Sequence, residues 1–266
     1  MSRNALIVIC GIAAIVGVAF GFYPELDLHI SAPFQAIMFW TPKGEYPFGL
    51  RFNPLLQNLR DVGLWIPFLL VAPAFIAIGG KIVVPRKRML MSGRASLFLI
   101  VTLAIGPGLI TNVILKEHWN RPRPVDVTTF GGTQDFVAWW DPRGTCDTNC
   151  SFVSGDSAGA FWTVAPAALM PPQYRAVAYT AAIVFGAAIS LQRLAFGAHS
   201  FTDVFFAGFF TFIVIWVCYA LIYRWRRTRL TDEEVEGVLA RFSLALGERR
   251  AALLHRIRDR RRGDAR

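Results

Sequence analysis

Six apolar runs separated by polar connections constrain this chain more than any other feature. They are Ala5 to Tyr23, Val62 to Gly79, Ala95 to Leu115, Ser157 to Met170, Ala176 to Leu194 and Asp203 to Tyr223. A helix needs roughly 20 mainly apolar residues to cross a bilayer, because hydrocarbon offers no partner to a free backbone N–H or C=O. The runs therefore predict an all-α, polytopic membrane protein, a six-helix transmembrane bundle. The fourth run is the shortest, and Pro166 is expected to kink it. With 54% hydrophobic and 14% aromatic residues and a mean hydropathy of +0.42, much apolar surface must face lipid. Gly17 and Ala19 are small enough for a signal-peptidase site, but no polar segment breaks the first run before Tyr23, so an uncleaved span is expected.

The net charge of +10 does not read as a nucleic-acid surface, because the basic residues cluster between the apolar runs and in the tail. Lys81, Arg86, Lys87, Arg88 and Arg94 crowd the second connection. Arg175 marks the fourth, and Arg224, Arg226, Arg227 and Arg229 follow the last run. The positive-inside bias makes these connections cytoplasmic, with both termini inside and Pro24 to Asp61 outside. In that outer segment Phe39, Trp40 and Phe48 suit the membrane interface, and Trp139 and Trp140 suit an aromatic belt. Three parts result: 1–61, the first span and outer segment; 62–230, the membrane core; and 231–266, a basic tail. The tail opens on a capping box, Thr231-x-x-Glu234, followed by apolar Val235, Val238, Leu239, Phe242 and Leu246. It reads either as an amphipathic helix on an anionic membrane surface or as a solvated tail that secures topology. Nothing in the sequence sets an oligomeric state.

Cys10 and Cys218 fall inside apolar runs and read as inert thiols. Cys146 and Cys150, in the polar stretch CDTNC, form either a disulfide in an oxidising compartment or two free thiols. No further Cys or His pair stands at zinc-ligand spacing, so no metal is expected.

Ionisable residues at span ends demand a reason. One group, Lys116-Glu-His-Trp-Asn-Arg-Pro-Arg123-Pro124, follows the third run. A second, Ser151-Phe-Val-Ser154-Gly155-Asp156-Ser157-Ala158, precedes the fourth. A third, Arg193-Leu-Ala-Phe-Gly-Ala-His199-Ser-Phe-Thr-Asp203, joins the fifth to the sixth. The charge-bias topology, drawn without reference to these groups, puts all three at one membrane face. Lys116, Arg123 and Arg193 repel one another there unless they hold an anion. A phosphate accepts bidentate arginine bonds, a lysine contact and N–H groups from Ser154-Gly155 at a helix start.

These residues resemble the type 2 phosphatidic acid phosphatase and vanadium haloperoxidase superfamily. Its signature is lysine, six residues, Arg-Pro; then Pro-Ser-Gly-His; then Ser-Arg, five residues, His, three residues, Asp. Lys116, Arg123 and Pro124 match the first part, and Arg193, His199 and Asp203 match the third. The middle part matches at Ser154 and Gly155 alone, since Val153 and Asp156 replace its proline and histidine, and in the third part Gln192 replaces the serine before Arg193. The resemblance covers Ala95 to Tyr223. The Ser-Phe-Val-Ser-Gly-acid pattern after a Cys-x-x-x-Cys loop further resembles bacterial lipid A 4′-phosphatases of this superfamily.

The resemblance implies that His199 attacks phosphorus and forms a phosphohistidine, that Asp203 orients and charges His199, and that no cofactor is needed. Lys116, Arg123 and Arg193, with Ser154 and the Gly155 amide, are implied to stabilise the equatorial oxygens. In the family the middle histidine protonates the leaving oxygen. Asp156 stands there instead, and a carboxylate among three cations is a poor proton donor. Three outcomes stay open: an acidic leaving group such as a pyrophosphate, another donor such as His118 or Glu117, or burial that keeps Asp156 protonated. The expected substrate is a lipid phosphate, with lipid A 4′-phosphate or undecaprenyl pyrophosphate favoured. A binding or transport protein without turnover and a vanadate-dependent haloperoxidase are the competing readings.

Overall fold

The computed structural model describes residues 1–37, 39–41 and 44–263, with side chains described for 1–37 and 46–248. The interface role expected of Phe39 and Trp40, and the arginine-rich end of the tail, lie outside the described side chains. The chain runs α1 (Arg3–Phe22), α2 (Leu26–Gln35), a small antiparallel hairpin β1 (Phe39–Thr41) and β2 (Gly44–Tyr46), then α3 (Pro54–Val83). Next, α4 (Gly93–Leu103) continues through a π-helical stretch (Ala104–Leu115) into a last turn, α5 (Lys116–His118). Then come α6 (Gly155–Phe161), α7 (Val164–Leu169), α8 (Pro172–Ala195), α9 (Phe201–Tyr219) and α10 (Asp232–Gly263). Among the described residues, five helical segments are long and apolar enough to cross a membrane: Arg3–Phe22, Pro54–Val83, Gly93–His118, Pro172–Ala195 and Phe201–Arg224.

The fourth expected span is not one helix. It divides at Trp162 and Thr163 into α6 and α7, because Pro166 has no N–H for the Trp162 carbonyl and its ring crowds that oxygen. The Ala165 N–H takes the carbonyl instead, at 2.8 Å. Both pieces pack along α8. Asp156 at the start of α6 lies 3.2 Å from Arg193 in the last turn of α8, so residues 156–171 retrace in two pieces the length that α8 covers in one. Phe161 enters between α8 and α9 where Gly186 and Gly208 leave room, and a Cβ on either glycine would strike its ring.

Contacts divide the chain into two units, Met1–Leu70 with Val101–Ala220, and Val71–Ile100 with Leu221–Arg266. In the first unit, Phe152, Val153, Ala158, Phe206 and Ala207 form a buried cluster. Trp119 stacks on Phe152 at 5.0 Å and Trp139 on Phe206 at 4.4 Å. Trp139 is thus core packing rather than belt, while Trp140 is exposed. Phe48 also departs from its expected interfacial place. It is fully buried, its ring lying against Gly197, which has φ +60 and carries no side chain to obstruct it.

In the second unit, the expected capping box opens α10: Thr231 N–H donates to Glu234 Oε2 at 2.7 Å, and Glu234 N–H to Thr231 Oγ at 3.2 Å. Asp232 accepts from Ser92 Oγ at 2.6 Å and from the Arg94 N–H at 3.0 Å. Lys81 Nζ donates to Glu236 at 3.0 Å, and Val235 is buried. The start of the tail is therefore docked on protein, while Val238, Phe242 and Leu246 stay exposed.

Candidate active site

Helix ends deliver the site. The long Gly93–His118 helix supplies Lys116 in its last turn, α8 supplies Arg193 in its last turn, and the tight connection from α8 to α9 supplies His199. His199 is buried, and its Nδ1 lies 2.7 Å from the Ser151 carbonyl oxygen. A carbonyl only accepts, so Nδ1 carries the proton and Nε2 keeps its lone pair. Burial foremost, then the charges of Arg193, Arg123 and Lys116, push the imidazole well below its ordinary pKa of 6.5, against the Ser151 carbonyl. Arg123 and Arg193, 70 residues apart in sequence, line one cavity with Ala198, the residue before His199.

Asp203 does not bond to His199 directly. The nearest approach, Nδ1 to Oδ2, is 4.0 Å, and Nδ1 is already taken by Ser151. Asp203 Oδ2 instead accepts from Ser151 Oγ at 2.5 Å and from the Ser200 N–H at 2.7 Å, closing a capping box at the start of α9. The carboxylate thus holds the residue whose carbonyl holds the histidine. Its other oxygen accepts from Arg121 Nη1 at 2.5 Å.

Arg121, which the motif reading left without a role, is almost wholly buried. It also donates to Asp27 Oδ2 at 2.8 Å, Thr202 Oγ1 at 2.7 Å and the Val137 carbonyl at 2.9 Å. Burial alone would weaken its hold on the proton, but Asp203 and Asp27 outweigh that and raise its pKa above the ordinary value. Asp27, on α2, accepts in addition from the Thr202 N–H at 3.0 Å and its hydroxyl at 2.5 Å. Two signals for this network were in the sequence: Ser200-x-x-Asp203 is a capping-box pattern, and Arg121 is a second arginine inside the first motif. Nothing in sequence linked Asp27 to either.

Asp156 is held by guanidiniums. Arg60 Nε on α3 donates to its Oδ2 at 2.8 Å, and Arg193 Nε approaches the same oxygen at 3.2 Å without hydrogen-bond alignment. Arg60 lies outside every motif. With Arg51, Arg123 and Arg193 it lines a polar cavity of ≈ 310 Å³ whose wall includes Ala198, the residue before His199.

The loop residues have structural partners of their own. Ser154 Oγ accepts from the Ser157 N–H at 3.3 Å, capping α6. A side chain at Gly155 would meet Asn112 Oδ1, so glycine lets α6 start against the long helix. Cys146 and Cys150 are joined in a disulfide. The loop it closes turns the Asn149 carbonyl onto Arg123, which donates to it from Nη2 at 2.8 Å and Nε at 3.2 Å. The Cys150 N–H bonds to the Lys116 carbonyl at 3.2 Å and the Ser151 N–H to the Arg121 carbonyl at 2.8 Å, so this segment lies along the first motif. Glu117 and His118 are exposed, with His118 Nδ1 engaged by the Ile114 carbonyl at 2.9 Å.

The sequence has relatives among known proteins. The chain is 34% identical over 225 residues to the lipid A 4′-phosphatase of Francisella tularensis subsp. novicida (strain U112), covering 84% of this chain and 98% of that one. It is 44% identical over 102 residues to the lipid A 4′-phosphatase of Rhizobium etli, covering 38% and 40%. To that of Rhizobium leguminosarum it is 42% identical over 103 residues, covering 39% and 44%. No solved structure matches the chain. The model of the PAP2 superfamily matches residues 95–227, the stretch that carries Lys116, Arg123, Arg193 and His199, and the chain belongs to that superfamily.

Proposed function

We propose that this chain removes the 4′-phosphate of lipid A by transferring it first to Nε2 of His199. As a PAP2 member with five apolar membrane-length helices, it is a multi-pass bacterial membrane protein and a phosphoric ester hydrolase. The relatives' names support the substrate, and one observation carries the chemistry. The Ser151 carbonyl fixes the proton on Nδ1, so an unprotonated Nε2 stands among three cations.

In the first step the Nε2 lone pair bonds to phosphorus as the phosphorus–oxygen bond to the sugar breaks. Lys116, Arg123 and Arg193 meet the charge on the equatorial oxygens. Asp203 positions the histidine through Ser151. Asp156 is clamped by Arg60 and Arg193 and is no proton donor in that state, so the leaving oxygen takes its proton from water or another donor. In the second step water attacks the phosphohistidine, the phosphorus–nitrogen bond breaks and inorganic phosphate leaves. Neither step uses a metal. The clamped Asp156 favours a second reading, undecaprenyl pyrophosphate, whose phosphate leaving group departs without an added proton.

We place the site on the periplasmic face of the inner membrane and both termini in the cytoplasm. Arginine and lysine bias supports this, and so does the retracing of α8 by α6 and α7, which amounts to a sixth crossing in two pieces. The arginine-rich end of α10 then meets anionic lipid. The test is phosphate release in detergent from lipid A, undecaprenyl pyrophosphate and phosphatidylglycerophosphate, with acid-sensitive phosphohistidine trapped by rapid quenching. Wild type is expected to release phosphate from at least one lipid, and His199→Ala from none. Binding without release or label from every lipid would leave a phosphate-binding protein.

A further inference from the structure

The geometry points to a second anion subsite, built by Arg51 and Arg60 beside the phosphate cradle, that takes a second phosphate or a carboxylate on the same lipid headgroup. This inference rests on the hydrolase reading above and specifies its substrate. Arg51 and Arg60 both precede the matched family region, residues 95–227, so the shared signature does not account for them. Both nevertheless line the ≈ 310 Å³ cavity together with Arg123 and Arg193.

The cavity gathers arginines beyond those the reacting phosphate needs. Lys116, Arg123 and Arg193 suffice to meet the equatorial oxygens of one phosphate, while Arg51 and Arg60 extend the same cavity wall and face the rest of the headgroup. Arg60 divides itself between Asp156 at 2.8 Å and Asp61 at 3.5 Å. Arg51 has no acidic partner among the described residues; at Arg123, burial foremost lowers the pKa, with Asp126 opposing and Arg51 adding to it. Guanidiniums that line one cavity draw an anion into the space between them, and the exposed Arg51 is solvated until one arrives.

The two arginines are also held in place. Gln57 Nε2 donates to the Arg51 carbonyl at 2.6 Å, and Gln192 Nε2 donates to the Leu56 carbonyl at 2.6 Å. Gln192 directly precedes Arg193, so the start of α3 is tied to the residue that reaches the reacting phosphate. Arg51 itself is exposed and stands at the rim, where the part of a headgroup away from the scissile bond would lie. A planar guanidinium there binds phosphate or carboxylate in bidentate fashion.

The test compares synthetic lipid phosphates with identical acyl chains and a headgroup carrying, besides the reacting phosphate, a hydroxyl, a carboxylate or a second phosphate. Wild type is expected to show a KM about tenfold lower for one or both two-anion substrates than for the hydroxyl analogue, as one charge-assisted bond implies. Whichever arm shows it identifies the anion. Arg51→Gln is expected to collapse that preference to about twofold or less, and Arg51→Lys to restore part of it. Binding of inorganic pyrophosphate against inorganic phosphate to His199→Ala, with and without Arg51→Gln, gives the same comparison without turnover. A preference that survives Arg51→Gln, or its absence in wild type, overturns the subsite. Failure of wild type to hydrolyse any substrate, with the binding preference intact, overturns the hydrolase reading instead.

Discussion

Arg121→Leu should disable this protein through its fold as much as through its site. Arg121 is 1% exposed and lies between carboxylates, Asp27 and Asp203, that are 1% and 0% exposed. Removing it leaves both as buried charges without a counter-ion, and breaking even one such pair costs about 3–5 kcal/mol. The Val137 carbonyl loses its donor as well, which adds about 1–3 kcal/mol. Taking about 3 kcal/mol as the floor, apparent Tm in detergent should fall by about 6–12 °C, read by tryptophan fluorescence. Turnover at a temperature where the variant is still folded should drop about tenfold or more in kcat. The reason is that Asp203 then loses the bond that sets its angle, with it the grip on Ser151, and so the orientation of the His199 ring. Arg121→Lys keeps the charge but cannot fork to two carboxylates, and should fall between wild type and Arg121→Leu on both measures. An Arg121→Leu protein with Tm within 2 °C of wild type and full kcat would refute the reasoning.

Reducing the Cys146–Cys150 disulfide, or making Cys146→Ser, should free the Asn149 carbonyl from Arg123 and raise KM several-fold with a smaller change in kcat; a KM indifferent to reductant refutes this. Asp156→Asn should slow monoester and pyrophosphate hydrolysis by similar factors, because a carboxylate clamped by two guanidiniums is not the acid; a selective loss on the monoester would make it one. His199 should stay neutral in the folded protein well below pH 6.5, measured by histidine NMR. Because the unfolded chain takes up that proton near 6.5 while the folded one does not, the contribution of this residue to stability is full above 6.5 and is lost as pH falls toward the folded value. A His199 titration at or above 6.5 would contradict the burial and the converging cations.

Much of the plan was legible because membrane helices obey a local rule. Length and apolarity decide a crossing residue by residue, so five of the six spans expected from the chain alone appear as membrane-length helices among the described residues. The proposed cradle was drawn from sequence on a similar ground: Lys116, Arg123, Arg193 and His199 fall at the ends of apolar runs, and Arg123 and Arg193 line one cavity with Ala198, next to His199. The capping box at Thr231 is local chemistry too, and it formed as read.

Tertiary structure alone decided the rest, because each remaining feature depends on a partner far away in sequence. At the break that Pro166 makes in the fourth run, the Trp162 indole N–H finds Thr102 Oγ1 at 2.9 Å, 60 residues away in sequence. Phe48 went inside because Gly197 left space for its ring. Asp203 acts on the histidine through Ser151, Arg121 balances Asp27 across 94 residues, and Arg60 reaches Asp156 across 96. Sequence determined which segments are long and apolar enough to enter a bilayer, because solvation of each segment is its own affair. Which buried charge meets which, and hence which atom holds the nucleophile, was settled by packing, because a buried ion is stable only beside the counter-ion that the fold brings to it.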